Sequence, residues 1–276
     1  MGSKNFTEQL ILGKIAVLTA EAAGFEVTDM TNIPGSQPAR KVMLNGEVDM
    51  EWEYTGTAWM TYMGNSKSIA DQAEMWNAVS ETDKENGLTW GKPSHLNNTY
   101  SFAVRSDYAQ EHGITKFSDI AKVPVEDRTL CVESEFNSRA DGLNGMLKTY
   151  GLERGSANGV PDNNISIMDT GTVYTATAEG SCNFGEVFTT DGRIKALDLT
   201  VLEDDKQYFP AYNAAAVFNT KTLEQYPELE EAYDQVAAKL NNETMMELNF
   251  KVDVEGQEPS QVAYNWMVEE GFITAK

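Results

Sequence analysis

The sequence predicts an α/β protein, on three observations. Helical and strand-like apolar periodicities alternate from the start of the chain, turn signals separate them, and a second alternating set follows without any low-complexity linker or fixed-period repeat. Two α/β lobes with short crossovers fit this pattern better than beads on a string.

The first helix is predicted over 5–23, where Phe6, Leu10, Ile11, Ile15, Leu18 and Ala22 recur at helical spacing and Gly24 supplies the stop. A strand over 25–31 follows, then a turn and cap at Pro34-Gly35-Ser36 and a helix over 39–44 closed by Asn45-Gly46. The next strand, 48–52, completes a helix, strand, helix, strand order, which implies a mostly parallel sheet. The second set comprises strand 100–104, a turn and helix over 117–121, strand 129–133, helix 138–150, strand 165–168, helix 172–179 and strand 183–188. Strand 214–218 and helices over 223–240 and 259–270 end the chain.

With 276 residues and 41% apolar content, the chain is long enough for one large or two ordinary domains with a real core. A formal net charge of -22 repels phosphate backbones, which argues against nucleic acid and anionic membrane partners. No apolar run approaches the roughly 20 residues of a spanning helix. The opening Met1-Gly2-Ser3-Lys4 enters a motif directly, without a leading strand, which suggests trimmed upstream residues and an added initiator Met. Cys131 and Cys182 both sit in apolar, strand-like stretches and are compatible with one disulfide or with two buried thiols. His95 and His112 are far apart and no Cys-x-x-Cys spacing occurs, so no metal site is expected.

Glu51-Trp52-Glu53-Tyr54-Thr55-Gly56-Thr57 stands out, because a period of two sends Trp52 and Tyr54 to one face and Glu51 and Glu53 to the other. An aromatic pair at a strand end before a Gly-containing turn suits a pocket wall.

Five motifs occur in one order: Gly2-Ser3-Lys4-Asn5-Phe6-Thr7-Glu8-Gln9; Glu53-Tyr54-Thr55-Gly56-Thr57; Asn97-Asn98-Thr99-Tyr100; Thr190-Asp191-Gly192-Arg193-Ile194; and Asp204-Asp205-Lys206 with Phe209-Pro210-Ala211-Tyr212. Over almost its whole length the chain thereby resembles the substrate-binding proteins of ABC importers for glycine betaine, choline, carnitine and related compatible solutes. The resemblance implies a bilobed type II periplasmic-binding-protein fold, in which two α/β lobes joined by two crossing strands close around a solute by hinge motion. Lobe one would hold 1–102 plus 208–276 and lobe two 103–207. It further implies a non-catalytic receptor with no cofactor. Its partners would be a small-molecule osmolyte and a membrane permease, and its place periplasmic or extracellular, with any signal or lipid-anchor segment removed.

A quaternary ammonium has no N–H to donate, so aromatic faces must recognise it. On the family pattern Tyr54, Tyr100 and Tyr212 supply such rings, Phe188 replaces the usual Tyr or Trp, and Trp52 is a further candidate for the cage. Trp59 is another, and neither tryptophan has a motif match. Lys4 and Arg139 match positions that hold a solute carboxylate. Arg139 is read at a helix start, where first-turn N–H groups would converge with its guanidinium. Thr57, with the Gly56 N–H, adds donors, as does the turn at Gly35-Ser36-Gln37. Asn98 orients a ligand by its dipole, and Glu186 stands where Asp is common. The two cations favour a zwitterion such as glycine betaine. Choline, a sulfonium analogue such as dimethylsulfoniopropionate, or a trimethylated amino acid are the alternatives. An enzyme with Glu186 or Glu53 as base, or a sensor module detached from a membrane receptor, are the remaining readings. No nucleophile elbow or phosphate loop supports the enzyme.

Overall fold

The computed structural model describes residues 1–69 and 71–275. Its strands are β1 (Gly2–Lys4), β2 (Met30–Ile33), β3 (Met50–Tyr54), β4 (Leu88–Asn97), β5 (Tyr100–Arg105), β6 (Leu130–Val132), β7 (Ile165–Ile167), β8 (Phe184–Phe188), β9 (Leu199–Val201) and β10 (Asn213–Asn219). The helices are α1 (Thr7–Ala22), α2 (Ser36–Leu44), the single turn α3 (Thr55–Thr57), α4 (Gln72–Lys84), α5 (Ser106–His112), α6 (Ser134–Ser138), α7 (Leu143–Thr149), α8 (Thr170–Ala178), α9 (Arg193–Ala196), α10 (Thr220–Gln225), α11 (Glu228–Ala237), α12 (Asn242–Asp253) and α13 (Pro259–Glu269). The chain divides into two compact units. One is Met1–Gly64 with Asp71–Asn98 and Ala211–Lys276; the other is Thr99–Pro210 with a short segment beginning at Asn65.

In the first unit β1 and β2 form a parallel pair, while β3, β10 and β4 form an antiparallel sheet in that order. Helix α1 buries Ile11, Leu12, Ile15, Ala16 and Ala20 and packs against α11, α12 and α13. Gly24 ends this segment at φ 94°, a conformation that residues with a Cβ resist. In the second unit the strand order is β7-β6-β8-β5-β9; the first three are parallel, and β5 runs antiparallel to both β8 and β9. Cys131 and Cys182 are joined in a disulfide, Cα to Cα 5.7 Å, beside the β6-β8 pairing.

Several expectations are corrected. A leading strand exists, β1, because Gly2 and Lys4 pair with Met30 and Ile33. The strand expected over 25–31 is displaced to β2, Met30–Ile33, which keeps only its last two residues. The Asp29 carboxylate accepts from the Thr31 N–H at 3.0 Å and its hydroxyl at 2.7 Å, a local turn that competes with a ladder. Neither large sheet is mostly parallel, because β10 inserts antiparallel between β3 and β4, and β5 antiparallel between β8 and β9. The helix over 138–150 is broken: Arg139 turns extended at ψ 151°, and α7 starts only after Gly142. A Cβ on Gly142 would lie 1.9 Å from the Phe136 carbonyl oxygen, so the break is built around glycine. The helix over 223–240 divides into α10 and α11 at Tyr226-Pro227, where proline lacks the N–H and clashes with the preceding turn. Residues 117–122 form a 3-10 turn, and α2 begins at Ser36, with Pro38 tolerated in its first turn. The units change over at Asn98/Thr99 and Pro210/Ala211, so Tyr100 to Phe102 and Tyr208 to Pro210 fall in the second unit.

Candidate functional site

Within the first unit a polar cluster forms where the first turn of α1 meets the end of β3. All five β3 residues are buried, because β10 flanks the strand and α1 packs on it. Trp52 and Tyr54 therefore do not face solvent, and neither do Glu51 and Glu53. The Tyr54 hydroxyl donates to Glu8 Oε1 at 2.6 Å, and its ring stacks on Phe6 with centroids 6.2 Å apart. Burial first, and then the Glu8 charge, push the Tyr54 phenol well above its usual range. Lys4 is not a solvated terminal lysine. It is 3% exposed, its Nζ donates to Glu53 Oε1 at 2.5 Å, and it lies 5.0 Å from the Tyr54 ring centroid. Glu53 also accepts from the Tyr54 N–H at 2.7 Å and the Tyr62 hydroxyl at 2.7 Å.

The turn after β3 explains why Gly56 follows Tyr54. A Cβ there would meet the Tyr212 ring at 2.6 Å and the Ala211 carbonyl oxygen at 2.8 Å. Glycine thus admits Tyr212, which is 2% exposed and whose N–H donates to Asn97 Oδ1 at 2.7 Å. Thr57 is buried in the same turn. Asn98 donates its backbone N–H to the Tyr212 carbonyl at 3.2 Å and its Nδ2 to Glu8 Oε1 at 2.9 Å. Trp52 has a different setting: its ring lies 6.3 Å from Tyr233 and its carbonyl accepts from Gln9 Nε2 at 3.1 Å.

The second unit contains an aromatic cluster. Tyr100 and Phe188 are direct partners across β5 and β8, with ring centroids 5.4 Å apart. Phe136 and Phe209 complete the group at 4.8 and 5.8 Å from the Tyr100 ring. Arg139 lies over Tyr100 at 5.5 Å. Its position corrects the helix-start expectation: Arg139 is the C-cap of α6, with its N–H donating to the Glu135 carbonyl. First-turn N–H groups of a helix therefore do not accompany its guanidinium. Nε and Nη2 grip Asp141 at 2.8 and 2.6 Å, and Nη1 reaches Glu135 at 3.1 Å. Glu186, two residues before Phe188 on β8, is fully enclosed. Its Oε2 accepts from the Glu133 N–H at 3.1 Å, while Oε1 has no hydrogen-bond partner among the described residues. Burial, then the Glu133 charge, push the Glu186 carboxyl up to about 8.

Sequence reasoning missed Glu8, Phe136 and Phe209 as members of these clusters. Glu8 and Phe209 lie inside quoted motifs, and the signal that could have found them was their polar or aromatic character at positions that helix and turn geometry bury. Phe136 carried no such signal. Among the described residues no group of three or more His, Cys, Asp or Glu is arranged to hold a metal ion.

The two-unit α/β architecture is that of the type II periplasmic binding proteins, solute receptors of membrane transport. Residues 1–269 match the family described as the substrate binding domain of the ABC-type glycine betaine transport system, and the chain belongs to that family. A glycine-betaine-binding protein of Pseudomonas aeruginosa is 38% identical over 98% of this chain and 86% of its own length. An ergothioneine transport permease/ergothioneine binding protein of Helicobacter pylori is 32% identical over 97% of this chain, which spans 46% of that protein. Among solved structures, a glycine betaine/carnitine/choline ABC transporter protein superposes with a TM-score of 0.78 at 28% identity, covering 98% of both chains.

Proposed function

We propose that this solute receptor captures a zwitterionic quaternary ammonium compound of the betaine class. The observation that carries the reading is the cluster of Tyr100, Phe136, Phe188 and Phe209, whose centroids lie 4.8 to 5.8 Å from the Tyr100 ring. Aromatic faces attract diffuse positive charge without requiring a hydrogen-bond donor on the ligand. In the first unit Tyr54 and Tyr212 are the candidate rings, and Trp52 is a further one, packed 6.3 Å from Tyr233. The ligands named for the relatives, glycine betaine and ergothioneine, support the class.

For the carboxylate of the solute, Lys4 and Thr57 are the first candidates. An ammonium has three donor hydrogens, of which Glu53 takes one. Arg139 is gripped by Asp141 and Glu135, so in this reading it polarises Tyr100 and meets a carboxylate only as an additional acceptor. Asn98 in the first unit and Glu186 in the second are the further polar candidates. The pairing of both cations with carboxylates of their own chain favours one second reading, choline, which has no carboxylate to satisfy.

The receptor delivers its solute to the permease of an ABC importer and performs no chemistry on it. It works outside the cytoplasm, which the disulfide supports, because such bonds persist in oxidising compartments. No helix among the described residues is long and apolar enough to cross a membrane.

A thermal-shift and calorimetry screen over glycine betaine, carnitine, choline, dimethylsulfoniopropionate, ergothioneine and amino acids tests the proposal, because a ligand that binds only the folded state raises the melting temperature. We expect the betaines to give the largest shifts. Tyr54→Ala and Tyr100→Ala should each weaken binding by about 1–2 kcal/mol or more. Stabilisation by ordinary amino acids with none by quaternary ammonium or sulfonium solutes would refute the class. A largest shift with choline, unchanged in Lys4→Met, would select the second reading.

A further inference from the structure

Glu8 lies in the first turn of α1, is 2% exposed, and accepts from three side chains on three other segments. Oε1 takes the Tyr54 hydroxyl from β3 at 2.6 Å and Asn98 Nδ2 from the end of β4 at 2.9 Å, and Oε2 takes Asn249 Nδ2 from α12 at 3.1 Å. Its neighbour Gln9 makes a parallel set of contacts, donating to the Trp52 carbonyl at 3.1 Å and accepting from the Lys4 N–H at 3.2 Å.

A carboxylate only accepts, so whatever faces Glu8 must turn a donor towards it. Two orientations follow. The phenol proton of Tyr54 is committed to Glu8, which fixes the ring edge and hence the plane of its π face. The Asn98 amide is forced to present its NH2 to Glu8, which turns Oδ1 the other way. That oxygen is buried and has no hydrogen-bond partner among the described residues. A buried acceptor left unpaired is costly, so its retention marks a place where an outside group completes it.

We propose that Glu8 is a positioning residue for solute capture: by accepting from Tyr54 and Asn98 together it sets the cage ring's plane and aims the Asn98 carbonyl oxygen at the solute. The proposal rests on the quaternary ammonium reading. In that chemistry an oriented neutral acceptor suits the polarised methyl groups beside the charged nitrogen, or a solute hydroxyl, without adding charge of its own. Glu8 shapes the site through these two groups and does not itself touch the solute.

The test uses the full chain, with glycine betaine as the probe. Glu8→Ala should lower affinity at least tenfold, consistent with loss of hydrogen bonds to a charged group. Glu8→Gln should retain affinity within roughly threefold, because its carbonyl oxygen still accepts from Tyr54 and Asn98. The loss from Tyr54→Phe should be much smaller in the Glu8→Ala background than in wild type, a coupling that a general loss of stability would not produce. Without any ligand, the Tyr54 ring-carbon NMR resonance, assigned by its disappearance in Tyr54→Phe, should shift in Glu8→Ala and recover in Glu8→Gln. Additive affinity losses, or a Tyr54 resonance indifferent to Glu8→Ala, would overturn the proposal. If wild type fails to bind glycine betaine, the ligand reading fails by itself, and the Tyr54 resonance still decides for or against Glu8.

Discussion

Tyr54 and Tyr100 are both tyrosines at strand ends, yet the two units hold them by different physics. In the first unit the ring is held by its hydroxyl, through a carboxylate that also gathers Asn98 and Asn249. In the second unit it is held by its faces and edges, among Phe136, Phe188 and Phe209. The cations beside them differ in the same way. Lys4 shares Glu53 with the Tyr62 hydroxyl and the Tyr54 N–H, so Glu53 has other donors if Lys4 is lost. Asp141, 1% exposed, accepts from Arg139 Nε and Nη2, one bond on each carboxylate oxygen. At Glu53 the cation is one donor among three, whereas at Asp141 an enclosed guanidinium supplies a two-point charged grip.

The largest expected effect tests that contrast. Arg139→Met leaves Asp141 enclosed beside other carboxylates, and breaking a buried pair from one side costs about 3–5 kcal/mol. Lys4→Met, with Glu53 still receiving two donors, should cost clearly less, about 1–2 kcal/mol. Denaturant unfolding of both variants measures this, and equal losses would break the comparison. Next in size is the covalent difference. Only the second unit contains cysteine, and Cys131–Cys182 closes a separation of 51 residues. Reducing it, or replacing both with Ala, should destabilise that unit by about 2–4 kcal/mol. Hydrogen exchange should show lost protection in β6 and β8 with β3 and β10 unchanged.

How far these sites were legible in the sequence follows the same division. The helix ending at Gly24, the strand that became β10 and the motif at Tyr54 were readable because periodicity and turn chemistry are local. The break at Arg139–Gly142 was not, because it depends on a contact with the Phe136 carbonyl and on an Arg–Asp grip two residues apart. Antiparallel insertion of β10 between β3 and β4 joins segments distant in sequence, which local pattern does not encode. Tyr54 and Tyr100 were named as candidates from motifs; that one hangs from Glu8 and the other sits in a phenylalanine cluster required three-dimensional contacts.

The smallest effect per step of solution conditions concerns two enclosed carboxyls, one in each unit, both pushed up to about 8. Burial is the first cause in each. The second is Glu53 for Glu51 and Glu133 for Glu186, while Lys4 and Arg40 oppose the rise at Glu51 and the Glu133 N–H and Arg139 oppose it at Glu186. In the unfolded chain these groups ionise near their ordinary 4.5. Between that value and about 8 the folded state therefore keeps a proton that the unfolded state has released. Each group's contribution is fully present below the lower value, falls as pH rises through the window, and is flat above it. The slope is at most about 1.4 kcal/mol per pH unit for one proton. Glu51→Gln and Glu186→Gln each remove one such slope, since the amide resembles the protonated acid, and both should raise stability at about pH 8 relative to wild type. Urea unfolding of the single variants across this range would show it, with Glu186→Gln acting on the second unit and Glu51→Gln on the first. A wild-type slope that survives in both variants would place the titrating group elsewhere, and a slope lost only in Glu186→Gln would mean that Lys4 and Arg40 keep Glu51 ionised.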